Sequence, residues 1–262
     1  MIPWPYHTFG QPTQPPLVCL HGFMGSGADW LPIVPDWNCY GLMPDLPGHG
    51  ANFMINLDEP LDFARLTTEF IAWLDGLGLA KIDLLGYSMG GRLALHVAAT
   101  HPRRIKRLIL ESANPGLTDP TARHARAQWD DEQAALLTEM ELADFLEQWY
   151  NLPLFQSLHR QPARLLALKQ QRQQHEPRFL AKIIRDLSPG RQLPLWSKLA
   201  DLPMPVLLVA GELDSKYVEL LTTMQPQIPQ AKLVILPQSG HNVHYEQPAL
   251  FGQVVRSWLI QL

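Results

Sequence analysis

The five residues Gly86-Tyr-Ser-Met-Gly90 constrain this chain more than any other stretch. They follow the apolar run Ile82-Asp-Leu-Leu85 and lead into a segment, Met89 to about Ala99, with helical patterning. A serine between two glycines at a strand-to-helix junction predicts a tight turn, because side chains at the flanking positions would meet neighbouring backbone. Such a turn lifts the Ser88 hydroxyl above the sheet. The helix N-terminus beyond it favours developing negative charge. A chain with this junction is expected to alternate strands with helices.

The rest of the sequence keeps that alternation. Leu17-Val-Cys-Leu20 reads as a buried strand ended by the turn-rich His21-Gly-Phe-Met-Gly-Ser-Gly27, and Tyr40 to Met43 as a second strand running into Pro44-Asp-Leu-Pro-Gly-His-Gly50. Leu61, Phe63, Leu66, Phe70, Ile71 and Leu74 recur near helical spacing. Leu108-Ile-Leu110, Val206-Leu-Leu-Val209 and Leu233-Val-Ile-Leu236 are further strands, and a final helix begins at about Pro248. Repeated strand–helix units predict an α/β protein with a mostly parallel sheet and helices on both faces. Residues 118–200 break the pattern, with several helical stretches and no strand. Charge is segregated there: eight acids against two bases over 118–147, and nine bases against two acids over 160–198. The expectation is a core made of residues 1–117 and 201–262, with a helical cap, 118–200, inserted as a lid.

Composition narrows the function classes. With 262 residues and 46% hydrophobic content the chain can bury a large core, which excludes wholesale disorder. Its 21 basic residues against 25 acids argue against a nucleic-acid partner. No apolar run approaches the ~20 residues of a membrane helix, so no membrane insertion is expected. The opening Met1-Ile-Pro-Trp-Pro-Tyr-His lacks the basic and apolar regions of a signal peptide. Two cysteines, Cys19 and Cys39, cannot make a disulfide framework. A cytoplasmic protein is the expectation.

A serine hydroxyl is a weak nucleophile and a weak base until a histidine takes its proton, and that histidine needs a carboxylate to orient it. Asp214 and His241 each stand in a turn just past a late strand, where open α/β sheets gather their ligands. Glu212 is a second acid in the first of those turns. The turn at His21-Gly-Phe-Met-Gly can aim backbone N–H groups at a negative oxygen; the donors expected are Phe23 and, after the nucleophile, Met89. His244 lies three residues past His241, but no cysteine or carboxylate pattern with metal-ligand spacing surrounds it. Neither a metal nor a cofactor is expected.

Five motifs in order, Tyr87-Ser-Met-Gly-Gly-Arg92, Glu111-Ser-Ala-Asn-Pro-Gly116, Trp149-Tyr-Asn-Leu-Pro-Leu-Phe155, Asp214-Ser-Lys216 and Gly240-His-Asn-Val-His244, resemble one branch of the α/β-hydrolase superfamily. That branch is the 2-succinyl-6-hydroxy-2,4-cyclohexadiene-1-carboxylate synthase family of menaquinone and phylloquinone biosynthesis. The resemblance covers nearly the whole chain. It implies an α/β-hydrolase fold and a lyase that eliminates pyruvate from a small, carboxylate-rich enolpyruvyl cyclohexene, with Ser88, Asp214 and His241 abstracting a carbon-bound proton. It further implies substrate contacts from Tyr87, Arg92, Arg126 and Trp149. Lys169, with Arg172 nearby, stands where some relatives carry another substrate arginine. Ala51-Asn52 replaces a serine frequent in relatives, which puts one loop hydrogen bond in question. The competing readings are a serine esterase, thioesterase or C–C hydrolase working through an acyl-enzyme, and a hydrolase-fold binding protein without chemistry.

Overall fold

The computed structural model describes residues 4–34, 37–53 and 55–260. Met1 to Pro3, part of the segment read for a signal peptide, lie outside them. Seven strands form one sheet in the order β1-β3-β2-β4-β5-β6-β7: β1 (Tyr6–Phe9), β2 (Pro16–Leu20), β3 (Tyr40–Pro44), β4 (Ile82–Tyr87), β5 (Ile105–Glu111), β6 (Val206–Gly211) and β7 (Ala231–Leu236). All neighbours pair parallel except β1, which runs antiparallel to β3 with Tyr6 opposite Pro44 and Phe9 opposite Gly41. Sequence patterning missed β1. It is a short edge strand, mostly exposed, so it carries no apolar run to betray it.

The central strands are buried along their whole length because helices cover both faces. One face receives α1 (Phe63–Gly76), α2 (Met89–Thr100) and α7 (Ser215–Met224), through Leu66, Phe70, Leu93, Val97 and Leu221. The other receives α9 (Pro248–Ile260), whose Phe251 and Val255 join Trp30, Leu85 and Ile109. Fully burying each such side chain contributes ~1.5–3 kcal/mol of transfer free energy. Helix α1 starts where the Asp62 carboxylate accepts the Arg65 N–H at 2.8 Å, one of the otherwise unpaired donors of a first turn.

Between β5 and β6 the chain leaves the sheet for α3 (Pro120–Glu139), α4 (Leu142–Tyr150), α5 (Pro162–Arg172) and α6 (Pro177–Asp186). Their apolar residues, among them Leu137, Phe145, Trp149, Leu165 and Leu180, form a cluster of their own that takes in Met24 from the loop after β2. Polar ties fasten this block to the same loop. Arg172 reaches Asp29 with two hydrogen bonds of 2.9 and 2.6 Å, and the His175 ring meets the Met24 carbonyl at 2.7 Å. The last short helix of the chain's second half, α8 (Val243–Glu246), follows the turn carrying His241.

Candidate active site

Strand β4 delivers Ser88 into a backbone conformation of φ 49°, ψ −108°, sparsely populated for a residue with a side chain. Its neighbours make the turn possible. A Cβ on Gly86 would come within 2.5 Å of the Gly90 carbonyl oxygen, and one on Gly90 would collide with the carbonyl oxygens of Leu20 and His21. The strain is held by the pairing of β4 between β2 and β5 and by the Ser88 N–H, which donates to the Glu111 carbonyl at 2.9 Å.

The Ser88 Oγ lies 3.0 Å from His241 Nε2, and His241 Nδ1 lies 2.8 Å from Asp214 Oδ2. Asp214 is buried, and its other oxygen accepts the Tyr217 N–H at 3.2 Å, which fixes the carboxylate toward the imidazole. Glu212 is exposed and accepts the Gln238 N–H instead, so the acid of the turn that reaches the histidine is Asp214. The loop bearing His241 is pinned from behind: Glu111 accepts the His244 N–H at 2.9 Å and contacts His244 Nδ1 at 2.8 and 3.0 Å, while the His244 ring stacks on Trp30 with centroids 4.3 Å apart. His244 is thus committed to a carboxylate. Among the described residues no three histidine, cysteine or acidic side chains gather as a metal site.

These groups open onto a cleft of about 490 Å³ between the sheet edge and the helical block. Phe23 and Met89 line it, and among the described residues neither backbone N–H has an acceptor in the protein, leaving both to a ligand oxygen. Tyr87, Arg92, Arg126, Trp149 and Arg172 line it too. Arg92, one turn along α2 from Ser88, donates to the Leu187 carbonyl at 2.7 Å and to Gln192 at 3.1 Å, with its guanidinium over the Phe63 ring. Burial, reinforced by the charge of Arg126, lowers its pKa to about 10. Arg126 forms a two-point ion pair with the fully buried Asp130.

A family model for the alpha/beta hydrolase fold matches residues 15–248. The chain is 35% identical to the putative 2-succinyl-6-hydroxy-2,4-cyclohexadiene-1-carboxylate synthase of Bacillus subtilis, over 94% of this chain and 90% of that one. The synthase of the same name from Pectobacterium atrosepticum is also 35% identical, with 95% of each chain covered. The solved structure of MenH from S. aureus superposes with a TM-score of 0.91 at 33% identity, covering 97% of both chains. The chain belongs to the 2-succinyl-6-hydroxy-2,4-cyclohexadiene-1-carboxylate synthase family. Its fold is that of the α/β hydrolases, and it is an enzyme.

Within this synthase-family chain, one sequence expectation needs correction. Lys169 is not in the cleft wall; on α5 its side chain, 12% exposed, pairs with the exposed Glu147 at 2.6 Å. Arg172, one turn on, takes the inward position, because its side chain is drawn to Asp29 beside the cleft. The basic stretch 160–198 is likewise no cationic surface of the pocket. Arg172 alone among its nine bases lines the cleft, whereas Lys182 pairs with Asp186 and Arg191 with Asp131. The loop hydrogen bond questioned at Ala51-Asn52 is met another way. Asp45 accepts the Ala51 N–H at 2.8 Å and the Gly27 N–H at 2.7 Å, and Asn52 Nδ2 donates to the Asp45 carbonyl at 2.9 Å. Sequence reading missed Asp29, Asp130, Tyr150, Lys216 and Tyr217, all of which line the cleft. Lys216 and Tyr217 stand beside Asp214, and Asp130 stands four residues from Arg126, so these had local signals, whereas Asp29 meets its partner Arg172 across 143 residues.

Proposed function

We propose that this enzyme eliminates pyruvate from 2-succinyl-5-enolpyruvyl-6-hydroxy-3-cyclohexene-1-carboxylate to give the 2-succinyl-6-hydroxy-2,4-cyclohexadiene-1-carboxylate for which the synthases it resembles are named, with Ser88, His241 and Asp214 as its catalytic residues. The observation that carries the reading is Arg92, a cation with no carboxylate partner among the described residues, one helical turn from an assembled triad. An esterase of neutral substrates has no use for that charge in its acyl pocket; a ligand with several carboxylates does.

The chemistry follows from the distances. His241 accepts the Ser88 proton across 3.0 Å, and Asp214 stabilises the resulting imidazolium. The alkoxide removes the ring proton next to the succinyl ketone. The electron pair left behind passes through the ring double bond to expel the enolpyruvyl oxygen, giving the diene and the enolate of pyruvate. That enolate takes up the proton that His241 accepted from Ser88 and leaves as pyruvate, which returns Ser88 and His241 to their starting states. While the ring proton is in transit, negative charge grows on the ketone oxygen, where the N–H groups of Phe23 and Met89 can receive it. Preorganised donors of this kind are typically worth ~3–4 kcal/mol each. Arg92, Arg126 and Arg172 hold carboxylates, and Tyr87 and Trp149 border the ring. Residues 118–200 act as a lid over the cleft, and the two buried free thiols, Cys19 and Cys39, suit a reducing cytoplasm. Purified protein given the enolpyruvyl substrate should release stoichiometric pyruvate with no added cofactor, and Ser88→Ala should not. Equal rates for the two proteins would refute the mechanism.

A further inference from the structure

Four cations line the cleft, Arg92, Arg126, Arg172 and Lys216, against three acids, Asp29, Asp130 and Asp214. Each acid is already engaged: Asp29 by Arg172, Asp130 by Arg126, Asp214 by His241. The uncompensated charge therefore rests on Arg92 and Lys216, neither of which has a carboxylate partner among the described residues. Both line the cleft and both feel the charge of Arg126. Tyr217 feels the charges of Arg92 and Arg126, and the Lys216 ammonium stands 5.9 Å from the Tyr217 ring centre. Burial first and then the charge of Arg126 lower the pKa of Lys216, as they do that of Arg92. Neighbouring like charges without a counter-ion repel one another, and the arrangement is relieved when an anion enters.

We propose that Lys216 is a substrate-binding residue that, with Arg92, receives one carboxylate of the ligand at the Tyr217 end of the cleft. The proposal rests on the synthase reading above and adds to it a specificity contact. The two cations divide the task. The Arg92 fork is partly occupied by the Leu187 carbonyl and Gln192, so it offers a fixed direction. Lys216 is exposed toward the cleft mouth and offers a point charge on a flexible stem. A carboxylate on a rotatable succinyl chain suits such a pair.

The test uses Lys216→Gln and Lys216→Arg in the full-length enzyme; the exposed side chain can be replaced without disturbing the core. Steady-state pyruvate release should show KM raised about tenfold in Lys216→Gln, as expected for one charge-assisted contact, with kcat within about twofold and KM restored in Lys216→Arg. In wild type KM should also climb on the alkaline side below the ordinary lysine range, and in Lys216→Arg that limb should retreat to the deprotonation of Arg92 near pH 10. A fall in kcat at unchanged KM would overturn the proposal, since Lys216 would then act through Asp214. Calorimetric titration with succinate separates this proposal from the reaction it rests on. Wild type should bind succinate about tenfold more tightly than Lys216→Gln. Equal affinity, or no binding to wild type, also overturns the proposal. Absence of pyruvate release by wild type would instead sink the synthase reading and leave the succinate comparison standing.

Discussion

The cleft has two walls made in different ways. On the sheet side, Ser88, Asp214 and His241 sit at the ends of β4, β6 and β7, and Phe23 and Met89 offer backbone N–H groups from turns fixed by glycine. Their positions follow from strand register, so few alternatives exist. On the helical side, Arg126, Trp149 and Arg172 project from α3, α4 and α5, and which cation points inward depends on which buried acid calls it. The sheet-side wall carries the triad and also the two cations without acid partners, Arg92 on α2 and Lys216 on α7, whereas the cations of the helical wall are each held by a side-chain pair.

The sharpest way to break this division is to remove the proposed base, Ser88, from the sheet-side wall. Ser88→Ala is expected to lower kcat for pyruvate release by ~10⁴-fold or more while leaving the circular dichroism unchanged, since the triad acts as a unit. Next comes the tie between the walls. Arg172 and Asp29 are nearly inaccessible, with side-chain exposures of 7% and 11%. Arg172→Ala should cost ~3–5 kcal/mol in urea unfolding because it strands a buried carboxylate. Burial alone would push Asp29 up, but the charge and hydrogen bonds of Arg172 outweigh it and hold the carboxyl below its ordinary range. That contribution is complete above the unfolded carboxyl pKa of ~3.9 and disappears as pH falls through the lower folded value.

His175 sharpens the same boundary at milder acidity. Burial, aided by the charge of Arg172, lowers its pKa to about 4, so the folded state keeps it neutral where the unfolded chain would protonate it. Stability present above the unfolded histidine value of ~6.5 is therefore lost as pH drops toward 4, by about 3 kcal/mol in all. Thermal melts from pH 7 to pH 4 measure the slope, and His175→Gln should flatten it; an unchanged slope would show that the contact with the Met24 carbonyl does not set the pH response. On the side of charge selection, Arg92→Ala should raise KM for the polyanionic substrate about tenfold or more, whereas hydrolysis of a neutral aryl ester, if any, should not change. The smallest effect is expected at Lys169, whose partner Glu147 is 64% exposed. Lys169→Ala should move stability by less than ~0.5 kcal/mol and leave KM where it was; a large rise in KM would restore the residue to the pocket.

The triad of the sheet-side wall was legible in the sequence because its signals are local. A glycine-flanked serine needs only five residues to declare itself, and Asp214 and His241 each stand in a turn bounded by an apolar strand. Helix α1, predicted over 61–76 and found at Phe63–Gly76, was legible for the same reason: its apolar positions recur at the period of the helix. Strand β1 was not, since an exposed edge strand shows no burial pattern. The cation of the helical wall was not legible either. Lys169 and Arg172 lie on the same helix three residues apart, and nothing between them says which faces in; Asp29, 143 residues from Arg172, makes that choice.

What the sequence by itself settled is therefore the alternation of the buried strands with helices, the tight turn at Ser88 and the two late turns that carry Asp214 and His241, because periodicity and turn chemistry are properties of neighbours along the chain. What only the tertiary structure decided is the balance of charge in the cleft. Asp29 and Asp130 neutralise Arg172 and Arg126 and leave Arg92 and Lys216 without counter-ions. Coulomb energy depends on distance through space: the Arg126–Asp130 pair is spaced four residues apart on one helix, but the Arg172–Asp29 pair spans 143 residues and no pattern along the chain records it.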